Sequence, residues 1–133
     1  KFPMLLGFNK EAHGLAHGAG KGSGAENKGK WDRYQAECLG YLIKRLSQME
    51  EGNGSVLDNT CIFYGSSNSK THNNNNYPLI LAGGKNMGYK HGQYLTFGRD
   101  VPLANLFVTI QKRMGVTADS FADSTGSLDE SVA

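Results

Sequence analysis

The sequence predicts an α/β fold, and three observations predict it. Two long segments, residues 30–51 and 100–115, place apolar residues at three- and four-residue steps. Two short runs, "TCIFYG" at 60–65 and "YPLILAGG" at 77–84, are apolar and rich in β-formers. Their order, helix, strand, loop, strand, arm, helix, is that of a layered sheet with flanking helices: two or three strands and two main helices.

The chain has 133 residues, which suits one domain or part of a larger one. Hydrophobic residues make up 38%, enough for a core, and the net charge is +2. That charge is too small to argue for a nucleic-acid partner or an anionic membrane surface. No apolar run approaches the length of a bilayer span. The chain opens at Lys1 without a signal-like stretch, so a targeting peptide is expected to be absent or already removed.

Residues 1–8, "KFPMLLGF", form a short apolar segment expected to end a strand. Residues 9–29 are expected to be a glycine-rich loop carrying His13 and His17, since their glycines disfavour a helix. The histidines are spaced i, i+4 as in HExxH, but Gly14 stands where the glutamate would be, so a protease motif fails. Phosphate-loop and dinucleotide patterns fail as well, because Gly22 follows Lys21 and no strand leads directly into the run. Two readings remain: an ordinary surface loop, or a loop that folds over a site and lends it imidazoles.

In the helix at 30–51, Trp31, Tyr34, Cys38, Leu42, Leu46 and Met49 fall on one face. Asn27 is the expected cap, and "GNG" at 52–54 the stop. Cys38 and Cys61 are expected to be buried thiols acting as small hydrophobes, with no disulfide implied by their count. With no CxxC pair, a zinc–thiolate site is not expected.

The runs at 60–65 and 77–84 read as strands covered on both faces and lying parallel, with Pro78 at a strand start or on an edge. In such a sheet, ligands bind outside the carboxyl ends of the strands. The first run feeds directly into "SSNSKTHNNNN", so His72 and the amides around it become site candidates. The same asparagines also suit a self-stapled turn, because Asn tolerates left-handed backbone. His91 reads as an exposed turn residue, and "GGK" at 83–85 as a turn ending the strand. Ser66 and Ser67 lack the GxSxG surroundings of a nucleophile elbow. Residues 92–98, "GQYLTFG", alternate weakly, as a third strand or an extended arm.

The helix at 100–115 has Asp100 as its expected cap and Pro102 in its first turn. Leu103, Leu106, Phe107, Ile110 and Met114 form its expected buried stripe, and Gly115 ends it. Residues 116–133 read as a polar tail with a "DSTG" turn.

"SVLDNTCIFYGSSNSKTH" followed by "NNYPLILAGG" resembles a segment of sulfatases and alkaline-phosphatase-like hydrolases. There, an "LDNT" turn feeds a core strand ending at an Asp-His metal pair. With His13 and His17, the 31–49 helix, "KHGQYL", "PLANLFVTIQKRMGV" and "DSFADSTG", nearly the whole chain resembles the carboxy-terminal part of a secreted bacterial family of unknown function in that superfamily. The resemblance implies that residues 1–133 are one segment, the carboxy-terminal portion of an alkaline-phosphatase-like sheet, completed by an upstream part of the same protein.

It also implies a periplasmic or extracellular location and metal-dependent hydrolysis of phosphate or sulfate esters. The substrate would be an anionic small molecule or glycan ester. Ser67 and Asn68 stand where a sulfatase has its metal pair, and they are poor ligands for a hard cation. His72, with His13 and His17, would replace them around a divalent metal, zinc or calcium. Asn68, Lys70 and Asn73 would face the anionic substrate. The alternative is a non-catalytic secreted binding or structural protein that kept the fold and lost the metal site.

Overall fold

The structure is a computed structural model. It describes residues 6–18, 22–69 and 72–133. Of the strand end expected at 1–8, residues 1–5 lie outside the described residues, as do Lys70 and Thr71, and residues 6–8 form no strand. The chain mixes helix and strand and divides into two compact units, residues 1–45 and 46–133.

The first unit holds α1 (Ala12–Gly18) and most of α2 (Gly24–Ser47). Within the glycine-rich loop expected at 9–29, residues 12–18 and 24–29 are helical instead. Over the short α1, Ala12, Leu15 and Ala16 favour helix against Gly14 and Gly18. Among the described residues of this unit, Phe8 and Leu15 are buried. Helix α2 starts three residues before the expected cap, and Asn27 lies inside it, donating its amide hydrogen to the Ser23 carbonyl at 3.0 Å.

The apolar face expected of α2 is not buried: the helix contains no buried residue. Cys38 is exposed rather than packed as a small hydrophobe, and Tyr41, Leu42 and Met49 are exposed too. The helix carries its own polar support instead. Glu26–Lys30, Lys28–Asp32 and Arg33–Glu37 pair at i, i+4. Exposed pairs at this spacing support a helix only weakly. The Trp31 and Tyr34 rings stack with centroids 6.0 Å apart.

In the second unit, "GNG" becomes the turn of a small hairpin. Strand β1 (Glu50–Glu51) pairs antiparallel with β2 (Gly54–Ser55) around Gly52, whose φ of +58° suits glycine at the first turn position. A 3₁₀ turn, Val56–Asn59, follows. The Ser55 backbone N–H and hydroxyl both donate to Asp58 Oδ2, at 2.8 and 2.9 Å. These bonds hold the Asp58 carboxyl below its ordinary range.

Strands β3 (Cys61–Gly65) and β4 (Leu79–Gly83) pair antiparallel, with Cys61 opposite Gly83 and Gly65 opposite Leu79. The expected parallel pair is thus corrected to a long-looped hairpin. The reason lies in the connection: parallel strands need a crossover, usually helical, whereas residues 66–78 carry no helical periodicity. Two glycines close this sheet. A Cβ on Gly83 would lie 2.2 Å from the Thr60 carbonyl oxygen, and one on Gly84 would lie 2.5 Å from the Tyr89 ring.

Residues 92–98 form no strand and are exposed along their length. Helix α3 (Ala104–Arg113) begins later than expected, with Leu103 as its cap. Asp100 is therefore not the cap; a preceding turn takes it up, with the Val101 N–H bonded to the Gly98 carbonyl at 3.1 Å. Gly115 ends the helix at φ +79°.

The buried residues of α3 are Ala104, Asn105, Leu106, Val108 and Thr109. Of the expected stripe, Leu103, Phe107 and Ile110 are half-buried and Met114 is exposed. Phe107 lies edge-on between Phe63 at 5.4 Å and Phe121 at 5.8 Å, linking β3, α3 and the tail.

The tail is packed onto α3 through buried polar groups. Asn105 Oδ1 accepts the Thr125 N–H at 2.8 Å, and its amide donates to Thr125 Oγ1 at 3.2 Å. Thr109 Oγ1 accepts the Leu128 N–H at 2.8 Å. Helix α4 (Asp129–Val132) follows, where Asp129 pairs with Arg113 at 3.4 Å and Lys112 at 3.8 Å, and Val132 is buried.

Candidate functional site

The two candidate regions belong to different units. In the first, the i, i+4 spacing of His13 and His17 falls on a helix, which sets both side chains over one face of α1. Their ring centroids are 4.5 Å apart with an interplanar angle of 63°, and both rings are exposed. Two imidazoles on one helix face can chelate a metal ion, as the i, i+4 pair of zinc helices does. The donor chemistry decides between the metals considered: neutral imidazole suits zinc, whereas calcium requires six to eight oxygen ligands.

In the second unit, the 66–78 connection is much longer than the two to five residues, roughly, of most hairpin loops. His72 is exposed and has φ +59°, a left-handed conformation that non-glycine residues seldom adopt. Asn76 shares it at φ +51°.

The neighbouring amides serve the loop itself. The Asn73 carbonyl accepts the Ser69 N–H at 2.7 Å, and Asn73 Oδ1 accepts the Asn75 N–H at 2.9 Å, an Asx turn. The Asn68 N–H donates to Ser66 Oγ at 3.2 Å, and its side-chain amide to Ser67 Oγ at 3.3 Å. Asn68 and Asn73, expected to face substrate, are therefore engaged in ordering the connection. Because the pair is antiparallel, the carboxyl end of β3 and the amino end of β4 meet at this loop. This pair therefore lacks the shared carboxyl-end rim that a parallel sheet offers a ligand.

The base of the sheet holds an arrangement that sequence reasoning missed. The Leu57 carbonyl accepts the N–H groups of Thr60 at 3.2 Å and Gly84 at 2.9 Å. Asn59 accepts from Asn86 at 2.9 Å and donates to Glu51 at 2.6 Å, tying the "LDNT" turn to both flanking turns. His91 Nε2 lies 2.7 Å from the Gly83 carbonyl, so this imidazole donates there and closes the glycine turn. Beside it Tyr89 is buried, and its hydroxyl has no hydrogen-bond partner of normal geometry among the described residues. Burial first, then the neighbouring Cys61 thiol, raise the Tyr89 pKa well above the usual phenol range.

Both cysteines are free thiols, and Cys61 is half-buried. The sequence signals for this cluster are the "LDNT" turn, the paired glycines at 83 and 84 and the turn residue His91. Among the described residues, no helix is long and apolar enough to cross a membrane. None of the protein-family models, curated proteins or solved structures compared with the chain matches it.

Proposed function

We propose that the chain is a zinc-binding relative of metal-dependent phosphate or sulfate ester hydrolases. The observation that carries this reading is the His13–His17 pair on one face of α1. The pair supplies two ligands, and the ligand set implied by the family resemblance adds His72 as a third. A zinc ion bound by imidazoles and holding an open position would polarise an ester oxygen and activate water. The fold under this reading is the carboxy-terminal portion of an alkaline-phosphatase-like sheet, in a secreted protein.

Metal analysis of the chain purified without chelator tests the proposal. One zinc per chain is expected, calcium should not compete, and His13→Ala/His17→Ala should remove the ion. His72→Ala should also lose metal while keeping the native circular dichroism spectrum; unchanged metal content rejects His72 as a ligand.

The engagement of Asn68 and Asn73 within their own loop favours a second reading, a secreted binding or structural protein that kept the fold without the metal chemistry. Substoichiometric metal in the purified chain supports it over the first.

A further inference from the structure

The β1–β2 hairpin carries a motif that the ester-hydrolase reading leaves unused. Its turn reads "EGNGS", Glu51 to Ser55. Asn53 is the only asparagine of the chain with serine or threonine two places on. That is the N-x-S/T pattern of an asparagine-linked glycan acceptor, and the residue between is not proline. Glu51 adds an acid two places before the asparagine. Bacterial oligosaccharyltransferases make that further demand, because they hold the carboxylate by charge. Asn53 is exposed at the hairpin tip, between Gly52 and Gly54, so no side chain next in sequence shields its amide.

The groups that flank Asn53 are occupied in the closed hairpin. The Glu51 carboxylate accepts the Asn59 amide at 2.6 Å. The half-buried Ser55 donates its hydroxyl to Asp58 Oδ2 at 2.9 Å. The Val56 N–H fastens the hairpin to the Met49 carbonyl at 2.9 Å. Folding and transferase recognition therefore compete for the same two side chains. Two strands of two residues each do not form a stable hairpin alone, so the motif stays open until the rest of the unit folds.

We propose that Asn53 is an N-glycosylation site, modified before the β1–β2 hairpin closes. This rests on the secreted reading above, because the glycan donor, a polyprenyl-diphosphate-linked oligosaccharide, is used on the exported side of a membrane. Asn53 Nδ2 attacks the anomeric carbon of the donor's first sugar. The new C–N bond replaces the C–O bond to the diphosphate, and the lipid diphosphate leaves with the bonding pair. A transferase carboxylate takes the amide proton. Glycan first and hairpin second is compatible with the fold, because Asn53 stays exposed after closure.

The test is intact mass and peptide mapping of the full chain, sent by an added leader into the periplasm of a bacterial host that carries an oligosaccharyltransferase and its lipid-linked donor. One glycan on the peptide holding Asn53 is expected. Ser55→Ala, which keeps the asparagine, should abolish it, and Ser55→Thr should retain it. Glu51→Gln should lower occupancy at least about tenfold. Because transfer precedes folding, a variant that folds poorly still reports. An unmodified Asn53 in the exported chain overturns the proposal, as does occupancy indifferent to Ser55→Ala. With purified transferase, the folded native chain should accept glycan at least about tenfold more slowly than Asp58→Ala/Asn59→Ala, which frees the Ser55 hydroxyl and the Glu51 carboxylate. Equal rates overturn the order of events. Fractionation of the native source, without the added leader, separates the two failures. A native protein confined to the cytoplasm overturns the secreted reading and this site together, whereas an exported but unmodified protein overturns this site alone.

Discussion

Single residues set the tightest constraints in the second unit, and those constraints are steric and electrostatic. Gly83 combines φ +74° with the 2.2 Å approach that a Cβ would make to the Thr60 carbonyl. Gly83→Ala should therefore destabilise by about 2 kcal/mol or more, read from urea unfolding, because the obstruction is backbone and cannot rotate away. A loss below about 0.5 kcal/mol would mean that the turn relaxes. Tyr89 presents the opposite case. Its buried hydroxyl has no hydrogen-bond partner of normal geometry among the described residues, so Tyr89→Phe should leave the melting temperature unchanged or raise it.

Asp58 makes stability depend on pH. The Ser55 N–H, then the Ser55 hydroxyl, depress its folded-state pKa below the ordinary 3.8. A depressed carboxylate contributes stability above the unfolded-state value and loses it as pH falls through the folded-state value. Asp58→Ala should lower the melting temperature at pH 7, and its difference from the native chain should shrink below pH 3.8. A difference constant with pH would show that the carboxylate charge is not involved.

At the scale of elements, α3 organises the second unit by two different means. Its apolar side works through Phe107, held edge-on between Phe63 and Phe121. Phe107→Ala should destabilise by about 2–4 kcal/mol in denaturant unfolding; less than about 1 kcal/mol would reject this packing. Its polar side works through Asn105 and Thr109, one helical turn apart and buried, which take up backbone N–H groups of the tail. Asn105→Ala should cost about 1–3 kcal/mol and raise hydrogen exchange at Thr125–Val132, while β3 and β4 keep their protection. Equal loss of protection in the strands would show that tail and sheet open together.

Across the whole chain, helices and strands were legible to different degrees. The 3.6-residue period marked α2 and α3 because a helix repeats its pattern within one segment. It did not report whether the apolar face of α2 is covered. The runs at 60–65 and 77–84 read as strands from composition, yet the parallel direction expected for them is wrong, because direction depends on the connection and the pairing rather than on either run. The His13–His17 pair was visible as a spacing. Its helical setting was obscured by the weight given to three glycines near it.

What the amino-acid order determined by itself is local: which segments are helical or extended, where glycine must stand, and which side chains bring chemistry. These follow from backbone sterics and short-range periodicity, which need no partner. The tertiary structure alone decided the antiparallel register of Cys61 with Gly83, the docking of the tail on Asn105 and Thr109, and the burial of Tyr89 beside Cys61. Each of these joins residues distant in sequence, and the free energy of such contacts depends on burial and direction that no single segment encodes.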